Sequence, residues 1–260
     1  MTQTERRLFL IKELQAEDSR FRQYIPETMT APEQKNLLRA LMNVRMPAPL
    51  SEEFLTVQDE YLKQELESKG ITDFSDLTPV EKDLYLWQGD ITTLRCGAIV
   101  NAANSALLGC FHPLHNCIDN CIHTYSGLAL RNACYDIMKK QGYEEPTGQA
   151  KITPAFNLPC DYVIHTVGPI VNVTLSEEHR RLLKACYVSC LKLAEEYGVD
   201  SLAFCCISTG VFGFPQRAAA EIAVNTVREY KAETGSGIKV IFNVFKDEDR
   251  KIYESLLGSK

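Results

Sequence analysis

The sequence predicts a three-layer α/β/α domain with a mixed sheet, preceded by a small all-helical N-terminal extension. Two observations predict it. From about Asp83 onward, short apolar runs alternate with amphipathic stretches, whereas residues 1 to about 80 show helical spacing alone. With 45% hydrophobic residues among 260, a sizeable core plus a smaller appendage can be buried, so we divide the chain into 1–80 and 81–260.

In the extension, Leu8, Ile11, Leu14 and Phe21 mark one apolar face, and Leu37, Leu38, Leu41 and Met42 a second. Phe54, Tyr61, Leu62 and Leu66 mark a third, which Ser51 is placed to cap and Gly70 to end. Pro26, Pro32, Pro47 and Pro49 punctuate the connections. This part contains no Cys or His, so chemistry is expected downstream. There, strands are predicted at 84–88, 98–101, 162–166, 202–207 and 240–244, and helices over about 126–141, 177–197 and 215–232. In the middle helix, Leu183, Cys186, Tyr187, Cys190, Leu191 and Ala194 follow helical spacing and Gly198 stops it.

The formal net charge of −6 argues against a protein that grips nucleic acid through its phosphates. No secretory signal opens the chain, and no apolar run approaches the roughly 20 residues that span a bilayer, so a soluble cytoplasmic protein is expected. In that compartment ten cysteines read as reduced thiols, some of them metal ligands, rather than as disulfides.

Ligands of α/β sheets gather beyond the carboxyl ends of strands, so the loops there carry the candidates. Gly89-Asp90-Ile91-Thr92 offers an acidic acceptor for the exocyclic amine of a base, although Gly-Asp is also an ordinary turn. Asn101-Ala102-Ala103-Asn104 sets two carboxamides around two small residues, able to approach a sugar or simply to turn the chain. Ile207-Ser208-Thr209-Gly210-Val211-Phe212-Gly213 precedes a helix opened by Pro215. Its small residues let backbone N–H groups face an anion, but it lacks the lysine of a nucleotide-hydrolysing loop.

The densest cluster runs from Gly109 to His123, with three Cys and three His between positions 110 and 123. Thiolate and imidazole are the donors zinc prefers, and the spacing suits a loop better than a helix face. Two thiolates and one imidazole would leave a catalytic opening, four ligands would make a structural site, and the residues suffice for either.

In this order, these loops resemble the macrodomain family from about Asp83 to the C-terminus, a family that binds ADP-ribose. Thr147-Gly148-Gln149-Ala150 and the run from Val163 to Pro169 resemble further family segments. The resemblance implies adenine beside Asp90 and Ile91, ribose at Asn101 and Asn104 with Asn104 the direct contact, and diphosphate over Ser208, Thr209, Gly210, Val211, Phe212 and Gly213. Ile118-Asp119-Asn120-Cys121-Ile122-His123 resembles the hydrolase branch, whose catalytic aspartate Asp119 matches. That branch's glycine run is replaced here by residues 110–117, as in its microbial zinc-containing subgroup, which also carries an N-terminal helical extension. On that resemblance Cys110, His115 and Cys117 hold one Zn2+ per chain, and His112 falls at a variable position.

The implied activity is zinc-dependent hydrolysis of mono-ADP-ribose from protein side chains, expected to be carboxylates, by a monomer whose partners are ADP-ribose and the modified protein. Asn104 and Asp119 are the expected catalytic pair. The alternative is a module that binds ADP-ribose without cleaving it; retained Asp119 and the three-ligand count favour the enzyme. A further alternative is a zinc hydrolase that acts on free nucleotides or deaminates bases; the deaminase would need a His-x-Glu and Pro-Cys-x-x-Cys pairing that is missing. Cys121 and His123 are expected to pack or support, His165 to be a hydrogen-bonded core histidine, and His179 to lie on the surface. Cys134, Cys160, Cys186 and Cys190 read as small core residues.

Overall fold

The computed structural model describes residues 1–258 and opens with three helices, α1 (Gln3–Glu17), α2 (Ala31–Val44) and α3 (Glu52–Lys69). Thr2 and Glu5 form a capping box on α1, and the Ser51 hydroxyl accepts from the Phe54 N–H to start α3. Leu10, Ile11 and Leu14 of α1, Leu37, Leu38, Leu41 and Met42 of α2, and Phe54, Val57, Tyr61 and Leu62 of α3 form a separate small core. Leu10 belongs to this stripe and Leu8 is only half-buried, because 10, 11 and 14 share one side of the helix.

The last helix of the extension stops at Gly70, the residue placed to end it. After Gly70 the chain runs through β1 (Thr72–Asp73) and β2 (Pro79–Glu81), which pair with β4 (Leu94–Arg95) and β3 (Leu84–Gln88). The pair β1 and β4 is a separate two-stranded sheet, whereas β2 forms one edge of the main sheet.

The remaining strands are β5 (Ala98–Ala103), β6 (Ala150–Pro154), β7 (Tyr162–Val167), β8 (Ser201–Phe204) and β9 (Lys239–Val244). The main sheet has the order β2-β3-β9-β8-β5-β7-β6, five parallel inner strands with an antiparallel strand at each edge. The inner strands are covered on both faces, which is why they read as nearly continuous apolar runs. Helices α4 (Ile118–Ser126) and α5 (Leu128–Gln141) cover one face. Helices α6 (Glu177–Glu196), α7 (Gln216–Thr234) and α8 (Asp247–Leu257) cover the other. The mixed three-layer sheet predicted from the alternation is present.

Two predicted elements are adjusted. The strand expected over 202–207 ends at Phe204, so Cys205, Cys206 and Ile207 follow it rather than extend it. Helix α7 begins at Gln216, with Pro215 one position outside. The early end of β8 positions the site. Its ladder with β5 stops at Ile99 and Ala203, while β5 continues along β7 to Ala103 and Val167. The two strands part there, at the point where the chain's path across the sheet reverses direction, and a crevice opens at their carboxyl ends. Among the described residues no helix is long and apolar enough to cross a membrane, and all ten cysteines are free.

Candidate functional site

All four sequence-predicted loops reach this one edge, because β3, β9, β8, β5 and β7 run parallel and end together. At the β3 end, Asp90 Oδ1 accepts from the Thr92 N–H at 3.0 Å and hydroxyl at 2.6 Å. Its Oδ2 meets Lys69 Nζ, from the last turn of α3, at 3.2 Å. Burial pushes the carboxyl up, but Thr92 and Lys69 together outweigh it and hold Asp90 below its ordinary value. Ile91 is buried, so only its backbone can face a ligand. Beside this turn stands Phe245, which sequence reasoning missed. It follows β9, is 74% exposed, and its carbonyl accepts from Gln88 at 3.2 Å. An exposed ring next to an acidic acceptor is a surface on which a planar base can stack.

The loop after β8 turns sharply. Ser208 has φ +66 and a buried hydroxyl without a partner, and a side chain at Gly168 would collide with it. Left-handed backbone at a non-glycine residue persists only where the surroundings impose it. The Phe214 N–H closes the loop on the Ser208 carbonyl at 3.0 Å, and Gly213 bonds back to Gly210 at 3.0 Å. Among the described residues the N–H groups of Gly210, Val211 and Phe212 have no acceptor, which leaves them to an anion ahead of α7.

At the β5 end the two asparagines separate. Asn104 is half-buried; its amide donates to the Gly109 carbonyl at 3.1 Å and to Asp119 Oδ2 at 3.4 Å. Asn101 is wholly buried and donates to Asp119 Oδ1 at 2.8 Å. The structure thus brings Asn104 to the crevice and sets Asn101 beneath it, against the carboxylate. The cluster's spacing suits a loop, and the family resemblance starts a helix near Cys121 and His123; α4 starts earlier, at Ile118, and carries Asp119 in its first turn. Burial raises the Asp119 carboxyl to about 6, against the Asn101 hydrogen bond and the Arg131 charge.

Cys110, His115 and Cys117 present donor atoms within 4.8 Å of one another, and Cys110 Sγ stands 3.6 Å from His115 Nδ1. A tetrahedral zinc with bonds of about 2.3 Å to sulfur and about 2.0 Å to nitrogen separates such a pair by about 3.5 Å, so the donors fit. Burial, with the adjacent Cys110 sulfur, pushes the Cys117 thiol up to about 12, while the Asn120 N–H at 3.4 Å pulls it down. A thiol held in this way loses its proton readily only to a cation. His112 is exposed, and Cys121 faces Arg39 Nη2 at 3.8 Å.

A second group, His123, Cys134 and His165, is buried beneath Asp119. Asn101 turns its N–H toward His165 Nδ1 at 3.1 Å, so that nitrogen accepts and Nε2 carries the proton, facing the Thr153 hydroxyl at 2.9 Å. With a proton where a metal would need a lone pair, this cluster reads as a hydrogen-bonded floor. His179 is half-buried and joins the Ser176 cap of α6.

The family model described as Macro domain matches residues 100–223. A protein-ADP-ribose hydrolase of Treponema medium is 55% identical over 263 residues, covering 99% of this chain and 100% of the relative. A protein of the same description from Staphylococcus aureus is 53% identical over 220 residues, covering 84% of this chain and 82% of its own. Among solved structures, a Trypanosoma brucei macrodomain in complex with ADP-ribose superposes with a TM-score of 0.65 at 30% identity, over 85% of this chain and 95% of that one.

Proposed function

The chain belongs to the macrodomain family, and from that premise we propose that it hydrolyses mono-ADP-ribose from modified proteins with zinc at Cys110, His115 and Cys117. One observation carries the reading. The Asn104 amide bonds both the Gly109 carbonyl, next to donor Cys110, and the Asp119 carboxylate, so carboxylate and metal donors meet at one end of the crevice. A base would lie between Asp90 and Phe245, a diphosphate against the free N–H groups at 210–212, and the distal ribose by Asn104.

With Oδ1 fixed by Asn101, Asp119 has Oδ2 available to orient a water and take its proton. The water oxygen joins the product as the bond from ribose to the side-chain carboxylate breaks, leaving ADP-ribose and the unmodified residue. Zinc held by Cys110, His115 and Cys117 would supply Lewis-acid polarisation of an oxygen. The leaving group favours carboxylate linkage: a carboxylate departs without needing a strong acid, and among the described residues the buried groups near Asp119 are poor acids, Arg131 being bonded to the Leu108, Met42 and Arg45 carbonyls and His123, 3.6 Å from Asp119 Oδ1, being kept neutral by burial.

Turnover of carboxylate-linked mono-ADP-ribosylated protein by zinc-loaded wild type, Cys117→Ala and Asp119→Ala tests the proposal. Release should fall about 100-fold or more in both variants while ADP-ribose still binds. Metal-free, folded protein that cleaves at the wild-type rate would remove zinc from the reaction. If loaded wild type binds ADP-ribose but releases none across several linkages, the chain is a binding module.

A further inference from the structure

Helix α2 belongs to the extension, yet two of its side chains enter the donor loop. Asn43 Oδ1 accepts from the Leu114 N–H at 3.0 Å, and its amide donates to Thr124 Oγ1 at 2.9 Å. Arg39 Nη2 donates to the His115 carbonyl at 2.7 Å and to Asn120 Oδ1 at 3.0 Å. Asn120, itself fully buried, passes the connection on by donating to the Cys110 and His112 carbonyls at 3.2 and 3.0 Å. These two α2 residues therefore reach both ends of the segment that carries Cys110 and His115.

The segment has little else to hold it. Among the described residues, the only backbone-to-backbone hydrogen bond with both ends inside 110–117 runs from the His115 N–H to the His112 carbonyl, at 3.3 Å. Leu114, one residue before a donor, sits at φ +58. A leucine keeps that left-handed conformation only when its surroundings demand it, and Asn43 holds the N–H of that very residue. Without Asn43 the peptide can relax to negative φ, which swings the His115 imidazole away from Cys110.

We infer that Arg39 and Asn43 are positioning residues that hold Cys110, His115 and Cys117 in register for a metal, so that the extension completes the site rather than merely bracing the fold. The inference rests on the proposed reading of those three residues as zinc ligands. Groups that orient a metal ligand through its neighbours commonly change affinity 10- to 100-fold. A purely structural contact would instead lower stability without a selective effect on metal.

Competition for zinc against a chromogenic chelator, on the full-length chain, separates the two. Asn43→Ala and Arg39→Met should each bind zinc about 10- to 100-fold more weakly, with ADP-ribose affinity by calorimetry within about twofold of wild type. Adding Leu114→Gly to Asn43→Ala should recover part of the lost affinity, because glycine adopts positive φ freely. Zinc affinity at the wild-type level in both single variants overturns the inference, as does a loss that Leu114→Gly leaves unchanged. A wild type that takes up no zinc overturns the metal reading itself, a result seen before any variant is made.

Discussion

Asn101 donates its side-chain amide to Asp119 Oδ1 at 2.8 Å from a position with no solvent exposure. The motif suggested a sugar contact, but burial leaves this side chain to align the carboxylate. Asn101→Ala should therefore lower kcat about 10- to 100-fold, the kinetic equivalent of a hydrogen bond to a charged group. ADP-ribose affinity should change less than about threefold, since Asn104 remains. Steady-state kinetics with calorimetry decides: weak binding with normal kcat would return Asn101 to the ligand.

Lys69 occupies Asp90. Its ammonium lies 3.2 Å from Asp90 Oδ2 and 3.3 Å from the centre of the Tyr125 ring. A base amine that seeks Asp90 must compete with it. The pair is partly exposed, so its worth is at most about 1 kcal/mol. Lys69→Met should tighten ADP-ribose binding by up to about fivefold at low salt, with the gain shrinking as salt screens the pair in wild type. Weaker binding in the variant would show instead that Lys69 itself touches the ligand.

The relationships readable from sequence are those made locally. The five inner strands were legible because burial on both faces writes an apolar run, and the site loops because each follows such a run. The edge strand β6 was not, since Ala150-Lys151-Ile152-Thr153-Pro154 mixes a charge and a proline into the pattern, as edges tolerate. Helix α8 begins with Asp247-Glu248-Asp249 and shows its apolar side only later, at Tyr253 and Leu257. Arg39, Asn43 and Lys69 gave no signal at all. Their partners lie 21 to 82 residues away, and only the docking of the extension brings them together. Phe245 left a faint one, an aromatic directly after an apolar strand and before a charged run.

Burial alone lowers the His165 pKa to about 3, below the roughly 6.5 of an unfolded chain. The unfolded state thus binds the extra proton first. Stability is full above about pH 6.5 and falls as pH drops from there toward 3. Between pH 7 and pH 5 this one residue should cost about 2 kcal/mol. Buried His123 shifts in the same direction, whereas Asp119, raised to about 6, stabilises as pH falls through that value. Both remain in His165→Gln. Urea melts should show that variant less stable at pH 7 but flatter in its pH dependence by about 2 kcal/mol; parallel curves would mean His165 titrates normally.

Gly109 joins the crevice to the buried floor. It has φ +85, its carbonyl receives the Asn104 amide, and an added Cβ would stand 2.8 Å from His123 Cγ. His123 is 3% exposed and has no room to retreat. Gly142 provides the control, with φ +80 but nothing within 4 Å of its Cβ position. Gly142→Ala should lose only the cost of left-handed backbone, about 1 kcal/mol. Gly109→Ala should lose about 2 to 4 kcal/mol, because the collision adds an overpacking term. It should also slow cleavage, since relief of the clash moves the carbonyl that anchors Asn104. Equal losses for the two variants, with cleavage intact in Gly109→Ala, would mean that the His123 ring yields without disturbing Asn104, and that the floor does not dictate the geometry of the site above it.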